Sequence, residues 1–252
     1  AVRRRTSDQL GALAGYGRGC CAGCGAGCIQ QPEGATADGL TAEELDNALL
    51  KVVTSANVAC GGHAGDLASM TRICSRAREL GVAIGAQISY VDRAGFGRRR
   101  LDIAPDLLCE QLLEQLTALT ACARAVGTDV VYVKPHGALY NTSAKNPEVA
   151  KAIAKAVKDI DAELILFGLK NSHSIAAGKA EGLKTAEEAF ADRRYESNGT
   201  LTPRSQPGAC FTEIQDVLDQ VEKIKADTWC IHGDGPHALA FAKALHTFKT
   251  PQ

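Results

Sequence analysis

In the segment KPHGALYN, residues 134–141, a lysine and a histidine stand two apart across a proline. Strand alternation sends Lys134 and His136 to one face, where a lysine can polarise a carbonyl or hold a carboxylate and a histidine can move protons. The segment HGDGPHA, residues 232–238, sets His232 at a strand tip, Asp234 in position to cap a final helix, and His237 in that helix's first turn. A third segment, VTSANVACGGHAGD over 53–66, carries His63, a metal ligand or general base, and Asp66, either its orienting partner or a helix cap. These residue types suit hydrolysis, which needs a base for water, a cation for the developing oxyanion and a proton donor for the leaving group. Two further features lie nearby. Glu187 and Glu188 close a strand and lead into a polar run over 191–208, which either stays an exposed loop or folds over the site and offers Arg204 to an anionic substrate. GFGRRR over 95–100 carries three cations, a solvated turn or a modest phosphate contact.

The elements that must position these residues follow from periodicity. Short apolar runs predict strands over 52–58, 82–86, 130–133, 164–167, 183–187 and 228–231. Between them lie helical stretches: Asp66 can cap a helix running to Leu80, Pro105 begins one reaching about Val126, and Asn146-Pro147 is a cap followed by a first-turn proline. Gly81, Gly127 and Gly182 end helices. Strand and helix in alternation predict a parallel α/β sheet, open or closed. No GxGxxG or GxxxxGK[ST] turn follows a strand, which favours a barrel over a nucleotide-binding open sheet, and ligands of such folds sit at the C-terminal strand ends.

Composition is globular, with 45% hydrophobic and 23% charged residues and a formal net charge of -1, so no electrostatic case exists for a nucleic-acid partner. No run reaches a membrane span and no signal-peptide pattern opens the chain, which reads as cytoplasmic. Cys60, Cys74, Cys109, Cys122, Cys210 and Cys230 sit singly in apolar surroundings and read as buried small hydrophobes.

Taken together, the segments at 53–66, 134–141 and 232–238, with FADR at 190–193 and PRS at 203–205, resemble the LamB/YcsF family, to which the A subunit of bacterial 5-oxoprolinase belongs; the resemblance covers roughly residues 46–247. It implies a (β/α)7-type barrel related to glycoside hydrolase and deacetylase barrels. It also implies opening of the lactam of 5-oxoproline to L-glutamate, with ATP as co-substrate and with B and C partner subunits. On that footing His63, Lys134, His136, His232 and Asp234 are the catalytic candidates, and Asn57, Asn141, Glu188, Arg204 and His237 the substrate-binding ones. A divalent metal is compatible with the histidines, its ligands unassigned. The alternatives are a metal-dependent deacetylase or amidohydrolase on the same barrel, or a member impaired in catalysis that serves as a binding subunit.

The chain departs from the family pattern in three places. The family's first strand, of the form Asp-Leu-Asn-x-Asp-Leu-Gly-Glu, has no counterpart in residues 1–45, so the first strand reads as lost or replaced. Gln87 stands where a histidine is usual, and Val91 where a proline is usual. Residues 1–40 therefore read as an atypical segment, disordered or aberrant, preceding a barrel domain over 41–252. Within it, Cys20 or Cys21 with Cys24 and Cys28 gives C-x2-C-x3-C, enough thiolates for a metal knuckle but without the apolar frame such sites carry.

Overall fold

A computed structural model describes residues 19–23 and 39–249. Seven parallel strands close a barrel in chain order: β1 Gly19–Gly23, β2 Ser55–Ala59, β3 Ala83–Ile88, β4 Val130–Pro135, β5 Ile165–Leu169, β6 Lys184–Phe190 and β7 Thr228–His232. The helices are α1 Ala42–Leu50, α2 Leu67–Leu80, α3 Pro105–Ala125, α4 Gly137–Lys145, α5 Pro147–Ile160, α6 His173–Ala180, α7 Ile214–Lys223 and α8 Ala238–Lys249. None is long and apolar enough, among the described residues, to cross a membrane.

The first strand is replaced rather than lost. Gly19–Gly23 pairs with β7 over five register positions and with β2 over two, closing the ring. This corrects the absence of secondary structure expected before residue 40. Ladder pairing is made by backbone groups, so a strand can form without the apolar pattern that sequence reading looks for. Cys24 and Cys28 of the expected knuckle lie outside the described residues.

Local sequence accounts for the helices. Asp66 accepts from Ser69 N and Ser69 answers to the Asp66 backbone, a capping box that starts α2; Gly81, at φ +69, stops it in the left-handed conformation. Asn146 accepts from Glu148 N and Val149 N ahead of Pro147 to start α5. In α3 the stripe Leu108, Leu112, Leu116 and Leu119 is buried, each leucine contributing about 1.5–3 kcal/mol on burial. Cys60, Cys74, Cys109, Cys122 and Cys230 are buried as expected, whereas Cys210 is exposed on the β6–α7 loop.

Inside the barrel, Tyr132 and Lys134 share one face of β4. Tyr132 stacks on Phe167 at 4.1 Å, and a side chain at Gly85 on β3 would collide with the Tyr132 ring at 2.1 Å, so this glycine makes room for the lower plug. One step nearer the mouth lies Lys134.

Candidate active site

Lys134 donates to Glu188 Oε1 at 2.6 Å and lies 2.9 Å from Cys230 Sγ, with its ammonium 4.7 Å from the Phe190 ring centre. Both ends of this ion pair are almost wholly buried, at 4% and 0% side-chain exposure, so each charge relies on protein partners in place of water. The β6 strand runs three residues beyond the expected end at 187, to Phe190, which puts Glu188 within the barrel wall rather than at the strand's closing end.

Above this pair opens a cavity of about 400 Å³ whose lining includes Gln87, Lys134, His136, Phe190, Arg204 and His232, all at C-terminal strand ends or on the loops that follow. The polar run over 191–208 does reach over the mouth. Arg193, buried, anchors it by donating to Thr202 O at 2.6 Å and Ala209 O at 3.2 Å.

His232 is held by an acid that sequence reading left without a role. Its Nδ1 lies 3.0 Å from Asp192 Oδ1 and 3.1 Å from Oδ2, and its backbone N–H donates to Oδ2 at 3.0 Å. Burial opposes ionisation of Asp192, but His232, through charge and both hydrogen bonds, outweighs it and holds the carboxyl below its usual range. The Phe190 ring stacks on the imidazole at 5.1 Å.

The other two histidines form a pair. His63, on the β2–α2 loop, and His136, just after β4, stack at 3.8 Å, with Phe96 edge-on to both at 5.4 Å. The Ser89 hydroxyl donates to Tyr90 O at 2.9 Å, so it accepts from His63 Nδ1–H at 2.9 Å. His136 donates from Nε2 to Phe96 O at 3.0 Å. His63 does not line the cavity; it borders a second depression with Asp46, Asp66, Arg72 and Arg93.

Asp234 does not cap the last helix, which begins four residues later at Ala238. Its carboxylate instead pairs with Arg98 and lies 3.9 Å from Arg204, tying together the loops after β3, β6 and β7. The three cations at 98–100 are thus partly committed, Arg98 to Asp234 and Arg99 to Asp92. Asn141 lines the cavity; Asn57 is buried within β2, and His237 is exposed against Phe241, neither of them on the cavity wall. Asp66 serves as a helix cap and not as the partner of His63.

Of the ten residues singled out, five therefore share one cavity: Lys134, His136, Asn141, Arg204 and His232. Those missed are Asp192, Ser89 and Phe96, while Arg98, read only as one of three cations in a solvated turn or a modest phosphate contact, pairs with Asp234. Asp192 was findable, because it follows β6 where strand-end residues face the mouth; Phe96, at φ +54 in a glycine-flanked turn, had no signal. Among the described residues no three His, Cys, Asp or Glu side chains converge as a metal site, and the histidines instead spend ring nitrogens on Ser89, the Phe96 carbonyl and Asp192. The described residues by themselves do not make a resident metal site.

The LamB/YcsF family model matches residues 36–251. A Brevibacillus brevis protein, named as the A subunit of 5-oxoprolinase, is 46% identical over 216 residues, 79% of this chain and 85% of that protein. The protein of the same name from Bacillus subtilis is 46% identical over 217 residues, 80% of this chain and 84% of that one. Among solved structures, the lactam utilization protein of Thermus thermophilus superposes with a TM-score of 0.79 at 32% identity, covering 91% of this chain and 96% of that one.

Proposed function

The chain belongs to the LamB/YcsF family, and from that premise we propose that it is the A subunit of a 5-oxoprolinase, opening the lactam of 5-oxoproline to L-glutamate. The observation that carries this reading is 46% identity over four fifths of the chain to proteins of that name, on a barrel whose cavity holds the necessary groups. ATP is the co-substrate of the complex, and the B and C subunits are its partners.

The chemistry suits the residues. A lactam resists water because its amide is resonance-stabilised, so the site must stabilise negative charge on the carbonyl oxygen as the C–N bond weakens. Arg204 is positioned at the mouth for the substrate carboxylate. Lys134, fixed by Glu188, supplies positive potential at the cavity floor. A histidine takes a proton from water as it attacks the carbonyl carbon; the C–N bond then breaks and the nitrogen leaves protonated, as the amine of glutamate.

The test is glutamate release from 5-oxoproline coupled to ATP hydrolysis, measured with and without the B and C subunits. Release that requires all three subunits supports the proposal. ATP-independent release by this chain alone would favour an amidohydrolase, and capture of B and C without release would favour a binding role.

A further inference from the structure

We infer that His232 is the base that activates water in this site, and that Asp192 is the positioning residue that makes it one. The inference rests on the lactam-opening reading above and narrows it from three histidines to one.

Three observations separate His232 from the others. A carboxylate on Nδ1 fixes the neutral ring as the Nδ1–H tautomer, because a carboxylate only accepts; the lone pair is then on Nε2, at the opposite edge of the ring. His232 lines the cavity whereas Asp192 does not, and Nε2 is at the ring edge away from the carboxylate. Among the described residues the ring makes no other hydrogen bond. His136, by contrast, uses Nε2 on the Phe96 carbonyl, and His63 lies outside the cavity wall.

Asp192 is itself held unusually firmly for a loop residue. Gln220 of α7 reaches under the turn and donates from Nε2 to Phe190 O and Arg193 O, each at 2.7 Å, with Ala191 O at 3.3 Å, the carbonyls on both sides of Asp192. Ala191 N donates to Cys230 O at 2.8 Å, joining the turn to β7 just before His232. The carboxylate is therefore placed from its own backbone and from the backbone N–H of the histidine it orients. As water attacks, its proton passes to Nε2 and the ring becomes an imidazolium against the Asp192 carboxylate; the same proton is then available to the leaving nitrogen. Arg98, Lys134, Lys145, Arg193 and Arg204 are the cations that line the same cavity, and all oppose a protonated ring, as does His136 when it is charged. Of the nearby acids among the described residues, Glu188 is engaged with Lys134 and Asp234 with Arg98 and Arg204, and Asp192 is the carboxylate in contact with the ring.

The experiment uses the complete complex with ATP. Asp192→Asn is expected to lower kcat by about 10²–10⁴-fold, the range for loss of a positioned general base, with KM for 5-oxoproline little changed. Asp192→Glu should recover part of the rate. A loss confined to kcat with KM held, and restored in part by Asp192→Glu, is a split that a purely structural defect would not give. A rate within twofold of wild type, or a loss that falls on KM rather than kcat, overturns the inference. Nitrogen-15 NMR of the histidine rings in the isolated chain, assigned through His232→Gln, gives a readout independent of activity. An Nδ1–H tautomer that is lost in Asp192→Asn supports the dyad even if the complex opens no lactam, in which case the functional reading alone fails; an Nε2–H tautomer in the wild type refutes the dyad outright.

Discussion

The imidazole rings of His63 and His136 lie face to face, 3.8 Å between centroids and 6° from parallel, although 73 residues separate them in the chain. Gly97 backs both: at φ +64, an added Cβ would fall 2.9 Å from His63 Cβ and 3.1 Å from His136 Cδ2. Gly97→Ala combines backbone strain with overpacking and should cost about 1–3 kcal/mol. Urea unfolding measures it, and a variant as stable as wild type would show that the pair tolerates a looser loop.

Lys134 and Glu188 should behave as a unit. Glu188→Gln takes from a buried ammonium the carboxylate it donates to and is expected to cost about 3–5 kcal/mol, as is Lys134→Met for the converse reason. The double variant should cost much less than the two single losses combined. A double-mutant cycle by denaturant unfolding tests this; additive losses would contradict mutual solvation of the charges.

Stability should depend on Asp192 in acid. A carboxyl held below its ordinary value, near 4, contributes stability that is present above that value and is lost as pH falls through the folded-state pKa. The stability gap between wild type and Asp192→Asn, followed by thermal unfolding, should therefore narrow from neutral pH to below about pH 4. A gap that stays constant across that range would mean the carboxylate is not stabilised by folding.

Arg204 should govern substrate affinity more than turnover. A hydrogen bond to a charged group contributes about 1.5–3 kcal/mol, so Arg204→Ala should raise KM for 5-oxoproline roughly 10- to 100-fold with a smaller effect on kcat. Steady-state kinetics on the complex decides it, and an unchanged KM would remove Arg204 from the binding site.

The elements were legible where local chemistry makes them. The Asp66 capping box, the Asn146-Pro147 start and the Gly81 stop are set by contacts within a few residues, and each appears where its residues call for it. Strand ends were less clear: β6 continues through Glu188 to Phe190 because pairing with β7 carries it on, and Glu188, expected to close the strand, is instead within it as the partner of Lys134. β1 was invisible because backbone pairing alone defines it.

The sequence by itself determined the β/α alternation, the starts of the helices at Asp66 and Asn146, the family and the set of polar residues at the strand ends, since all of these depend on neighbours close in the chain or on motifs read in order. Only the tertiary structure decided the partnerships: Lys134 with Glu188, His232 with Asp192, Asp234 with Arg98 and Arg204, His63 with His136. Barrel closure brings residues tens of positions apart within hydrogen-bonding distance, and which atom meets which is fixed by register and loop packing, for which no local pattern exists.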